Sequence, residues 1–205
     1  IVEKCRFLTE KGILHLKIYS IIGLPGETDE DIDHFIALVE RVMKVYIATC
    51  SQRGNIGQVT ISLSPLIPKP GTPFQWHPME PVPSLKKKFM KARKALGRLP
   101  HLKLSFSSPN EAYLQTYLSR GDRRVLFFFK TYLANGHDAK KALMESRPAA
   151  DSFVYRQYEQ NDILPWDVVD HGYKKDFLWS DYQRGLQEGV TPVCDTAVCK
   201  ICGIC

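Results

Sequence analysis

Hydrophobic and polar positions follow two rhythms along this chain. Leu14 to Ile22 is short, largely apolar and rich in β-branched residues, which predicts a strand of a buried parallel sheet. Gly23, Pro25 and Gly26 break that run. Thr28 then stands as a helix N-cap, followed by Asp29, Glu30 and Asp31, acids that suit the positive end of a helix dipole. Ile32, Phe35, Ile36, Val39, Val42, Met43 and Tyr46 recur on one face and predict a helix over Asp29–Ile47. A loop over Cys50–Gly57 leads to a second strand, Gln58–Leu66. Ile67–Pro83 holds many of the prolines and reads as an irregular loop over the sheet's mouth. Ser84 is expected to cap a helix that turns Leu85, Phe89, Ala92 and Leu96 inward, and His101–Phe106 alternates as a third strand.

The pattern is helical from there on. Ser107 and Ser108 precede Pro109 at a helix start that Glu111–Leu118 continues. Asp122 opens a helix through Leu133 that Asn135-Gly136 ends. Further helices are predicted from Asp138 to Glu145, Ser152 to Tyr158 and Lys174 to Gln187. Between the last two, Leu164-Pro165-Trp166 is a packing anchor in a loop. The pattern therefore predicts three regions: α/β over 1–107, a helical extension over 108–188 and a cysteine-rich tail over 189–205. The chain begins at Ile1, without Met, inside what reads as the end of an amphipathic helix, and is read as a fragment.

The chain has 205 residues, 44% of them hydrophobic, enough for a sizeable core. No apolar run approaches the ~20 residues of a membrane span and no signal peptide opens the chain, so a cytoplasmic protein without a membrane partner is expected. The net charge is +6, a weak pointer to anionic partners such as RNA. Much of it lies in Lys86, Lys87, Lys88, Lys91, Arg93 and Lys94, read as the solvated face of the third helix. Arg120, Arg123 and Arg124 are read as structural, with phosphate contact the alternative. The histidines show no motif spacing, and no nucleophile elbow or Walker loop is present.

Cys5 and Cys50 stand alone. Cys194, Cys199, Cys202 and Cys205 are spaced C-x4-C-x2-C-x2-C, and Gly203 permits a tight turn between them. Without a secretory signal, such a cluster argues for a soft metal or an iron–sulfur cluster rather than disulfides. Structural zinc and an auxiliary 4Fe-4S cluster are both compatible.

The first glycine turn has a more particular spelling. GLPGET after an apolar strand, followed by QVTISLSPLIPKPGTPFQW at Gln58–Trp76, resembles the fifth and sixth strand ends of radical S-adenosylmethionine enzymes, notably methylthiotransferases and cobalamin-binding members. SRGDRRV, LPWD and the terminal cysteines extend that resemblance. It implies the C-terminal part of a partial (β/α) TIM-like barrel. In that family a reduced 4Fe-4S cluster cleaves S-adenosylmethionine to a 5′-deoxyadenosyl radical, and methyl or methylthio transfer is the implied outcome. The radical cluster's ligands, the other half of the barrel and a cobalamin domain would lie upstream, and an electron donor and an unknown substrate, RNA or protein, would be partners. The fragment alone would be inactive.

The resemblance also carries over residues. The family often shows GxIxGxxE here. This chain has Tyr19 for the first glycine, Ile21 and Gly23 in place, Gly26, and Glu27 one residue late because Pro25 is inserted. Relatives often have Asp where Tyr19 stands, so a carboxylate–ribose contact does not transfer. Ile21 would lie against adenine, and Glu27 would brace the loop or cap the helix. Leu66, Ile67 and Pro68 match backbone positions at the adenine edge, while Lys69 reads as a surface residue. Phe74 and Trp76 are expected to cover the barrel mouth. The alternative from another class is a zinc-stabilised nucleic-acid-binding module.

Overall fold

The computed structural model describes residues 1–204. Three parallel strands, β1 (His15–Ile22), β2 (Gln58–Pro65) and β3 (Leu102–Phe106), lie in the order β1-β2-β3. Helices α1 (Val2–Glu10), α2 (Asp29–Gln52) and α3 (Val82–Leu96) accompany them. Then follow α4 (Pro109–Arg120), α5 (Leu126–Ala134), α6 (Ala139–Val154) and α7 (Lys175–Leu186). The chain divides into two compact units: Ile1–Leu66 with Glu80–Glu111, and Ile67–Met79 with the residues from Ala112 on. Among the described residues, no helix is long and apolar enough to cross a membrane.

In the first unit, the two helical crossovers leave the sheet one buried face. Leu16, Ile22, Val59, Ile61 and Leu63 are each at most 9% exposed, and they alternate with residues of the open face. Thr28 and Asp31 form a reciprocal capping box that starts α2. Periodicity alone ends α2 at Ile47. The structure carries it to Gln52, because Tyr46 and Cys50 are fully buried and the Tyr46 hydroxyl donates to the Leu14 carbonyl at 2.6 Å. Helix α3 begins earlier than Ser84. Its N-cap is Pro81, and Ser84 instead donates its hydroxyl to Glu80. The ring of Phe89 packs against Phe106 of β3, with centroids 5.3 Å apart.

The second unit is built on aromatics. Trp76, Tyr158, Leu164, Trp166, Leu178 and Tyr182 form its buried cluster, with Phe74, Tyr173, Phe177 and Trp179 packed around them. The anchor role expected of Leu164 and Trp166 holds: the Trp166 indole donates to the Gln75 side chain at 2.7 Å. Trp76, expected to cover a mouth, is fully buried in this cluster, on a 3-10 turn over Pro73–Trp76 that interrupts the otherwise irregular proline-rich segment. In place of separate helices at Asp138–Glu145 and Ser152–Tyr158, one continuous α6 runs through Pro148 and ends at Val154, and residues 155–158 are not helical. A proline inside a helix costs about 3 kcal/mol. Here Ala142, Ser146, Ala150, Phe153 and Val154, buried along one face, offset it.

Arg120, at the end of α4, is fully buried. Its guanidinium donates to the carbonyls of His77 at 2.8 Å and Arg156 at 2.7 Å, and lies 4.7 Å from the Tyr158 ring centre. It is therefore structural. Burial pushes its pKa down to about 10, so it stays charged at neutral pH.

Candidate functional site

The sheet register places the ends of β1 and β2 side by side. Ile22 pairs with Pro65, and the Leu66 amide donates to the Ile22 carbonyl at 2.8 Å. The glycine turn and the proline-rich segment thus leave neighbouring strands at one edge, the edge where ligands bind in α/β folds. Gly23, Gly26 and Glu27 occupy the turn, with Leu66 beside it in the first unit. Ile67 and Pro68 are the next two residues in sequence and open the second unit.

The two glycines serve different needs. Both have positive φ, +87° at Gly23 and +77° at Gly26, a conformation that disfavours side chains. A Cβ on Gly23 would come within 2.8 Å of Leu85 and 3.0 Å of the Glu80 carboxylate. Its missing side chain is what lets the turn pack on α3. A Cβ on Gly26 would meet nothing within 4 Å, so open space adjoins the turn there.

Glu27 braces the turn. Its Oε1 accepts from the Gly23 amide at 2.9 Å and from Lys88 Nζ at 2.8 Å. Lys88 also donates to Glu80 Oε2 at 2.7 Å and to the Glu27 carbonyl at 3.4 Å. The side chains of Lys88, Glu27 and Glu80 are 7%, 8% and 17% exposed. Lys88 is thus no part of a solvated face, and sequence reasoning missed it. Three residues after Leu85 and four before Ala92, it stands on the inward stripe of α3, and that placement was the available signal. Burial opposes its charge, but the hydrogen bonds to Glu27 and Glu80 outweigh this and hold its pKa above 10.5. The neighbouring Lys87 and Lys91 pair with Asp29 at 3.1 Å and Asp33 at 2.7 Å.

The open face of the sheet is layered by its register. Lys17, Thr60 and Lys103 form one row across the three strands; Tyr19, Ser62 and Ser105 form the next. Ile21 and Ser64 form a third, where the Ser64 hydroxyl lies 3.0 Å from that of Ser107. Tyr19 is 71% and Ile21 50% exposed on this face, below the turn.

The described tail cysteines, Cys194, Cys199 and Cys202, line one cavity of about 520 Å³ together with residues of α7. Gly203 turns at φ +90°, and the Lys174 amide donates to the Cys202 carbonyl at 2.7 Å. Cys205 lies outside the described residues. Among the described residues, no three His, Cys, Asp or Glu side chains come together as ligands of a metal ion. Cys5 and Cys50 are buried.

No family model matches this chain, and no solved structure does. Over 114 residues it is 34% identical to an uncharacterized protein of Methanocaldococcus jannaschii. The match takes in 56% of this chain and 23% of that protein, so the chain spans about a quarter of the length of the curated relative it matches.

Proposed function

We propose that this chain forms the carboxyl-terminal strands of a radical S-adenosylmethionine barrel, and that the ends of β1 and β2 hold the adenosyl half of that cofactor. One observation carries the reading: the parallel register that brings the GLPGE turn and Leu66 out at the same sheet edge, joined by the Leu66–Ile22 hydrogen bond. The residues present suit an adenosyl group. Ile21 offers exposed apolar surface, Gly26 leaves space, and the turn is rigidly braced from behind. When bound, the cofactor with its reduced 4Fe-4S cluster supplies the radical chemistry. The chain's own part is to position. Glu27 and Lys88 fix the turn, and Ile21 and Tyr19 face the ligand side. Such preorganisation is the protein's main contribution in cofactor enzymes.

Methyl or methylthio transfer to a cytoplasmic RNA or protein substrate, with an electron donor and a cobalamin domain upstream, completes the proposal for the whole protein. The tail cysteines are proposed to hold zinc or an auxiliary cluster with Cys205 as a further ligand. The alternative, a zinc-stabilised nucleic-acid module, finds less support, because Lys87, Lys88 and Lys91 of the basic run are already engaged by acids of the fold. The test is anaerobic incubation of the full-length protein with reductant and S-adenosylmethionine. The reading predicts 5′-deoxyadenosine from the full chain and none from residues 1–205 alone. A full-length, iron-loaded protein that neither binds S-adenosylhomocysteine nor releases 5′-deoxyadenosine would overturn it.

A further inference from the structure

We propose that the open face of the β1-β2-β3 sheet binds a phosphate group of the substrate, clamped between Lys17 and Lys103 above Thr60. The inference takes the barrel proposed above as its setting and rests on that reading; it adds the chemistry of what the barrel receives.

Register places the two lysines in one row, with Thr60 between them. Strands lie about 4.8 Å apart, so the two lysine backbones stand about 10 Å apart and both ammonium groups can reach one anion over the central strand. Lysine is disfavoured inside strands, and this row carries two of them, both exposed. Elsewhere in this unit the fold supplies an acid for a lysine it holds in place, as Glu27 and Glu80 do for Lys88. Among the described residues, neither Lys17 nor Lys103 has an ion pair. None of the strand residues on the open face is acidic.

The surroundings suit phosphate. Lys17 Nζ sits over the Tyr19 ring, 4.7 Å from its centre, which leans it toward the second row. That row adds the hydroxyl of the exposed Ser105, while Ser62 beside it is buried. Two ammonium point charges with hydroxyl donors, and no planar guanidinium fork, match a compact tetrahedral anion. The glycine turn lies above the third row, so an anion held at the first would leave the space between for the reacting part of the substrate.

The experiment is calorimetric titration of the full-length protein with inorganic pyrophosphate, alongside S-adenosylhomocysteine. Lys17→Ala and Lys103→Ala should each weaken pyrophosphate binding at least about tenfold, as loss of a charge-assisted hydrogen bond does. The double variant should show none. Lys86→Ala and Lys94→Ala, on the exposed side of α3, should change it less than about twofold. S-adenosylhomocysteine affinity should be the same in all four single variants, which also reports that they fold. If the parent protein fails to bind pyrophosphate, or if the α3 variants weaken it as much as the strand variants, the phosphate site is refuted. If pyrophosphate binds as described while S-adenosylhomocysteine does not, the anion site stands and the cofactor reading falls.

Discussion

Replacing Lys88 with Met would test what holds the glycine turn. The change keeps most of the side-chain volume but removes the ammonium that serves Glu27 and Glu80 at 2.8 and 2.7 Å. Both carboxylates are nearly buried and would be left without a counterion. Removing one partner of a buried pair costs about 3–5 kcal/mol. With a urea m-value of about 1.5 kcal/mol per molar, the unfolding midpoint of the first unit should fall by roughly 2–3 M. All three tryptophans, Trp76, Trp166 and Trp179, lie in the second unit, so their fluorescence does not report the first. Hydrogen exchange of peptides covering Gly23–Asp31, followed through a urea series, does. The triple variant Lys88→Met, Glu27→Gln, Glu80→Gln should regain more than half of the loss, because it removes the orphaned charges and keeps an oxygen for the Gly23 amide. A midpoint shift under about 0.5 M for the single variant, or a triple variant no more stable than the single one, would refute the argument. Folding raises the Lys88 pKa above 10.5, so its stabilisation is complete at neutral pH and is lost only as pH climbs above that value.

Three further outcomes are expected. Gly23→Ala combines a positive φ with a contact of 2.8 Å to Leu85 and should cost about 3 kcal/mol or more; Gly26→Ala has only the backbone strain, about 1 kcal/mol, and urea titration of both separates the terms. Burial and the nearby Arg120 charge hold the His77 imidazole below 6.5, so the unfolded chain takes up that proton first and stability falls as pH drops below about 6.5; His77→Gln should flatten this part of the acid limb in urea midpoints measured across pH. Metal analysis of the anaerobically purified full-length protein should find zinc or iron that is lost in Cys199→Ser with Cys202→Ser, and a metal content unchanged by that pair would remove the tail from the proposal.

Local chemistry made the frame of this protein legible from its residues. A β-branched run, a glycine break and a threonine cap followed by acids specify strand, turn and helix wherever they occur, and the structure has them at β1, Gly23–Glu27 and α2. The place of Leu164-Pro165-Trp166 as an anchor was legible for the same reason, since large apolar residues in a polar loop must be buried somewhere. Burial by distant residues was not legible. Periodicity stops α2 at Ile47 and the helix from Asp138 at Glu145, because both continuations are stabilised by partners that no window of sequence contains. Lys88 shows the difference most sharply. Within its helix it is one cation among many, and only the return of α3 beside the glycine turn makes it the counterion of Glu27 and Glu80. The row of Lys17, Thr60 and Lys103 likewise joins residues far apart in the chain. Alternation fixed which face each would take, but their meeting depends on strand register, and register is decided by the packing of the whole sheet.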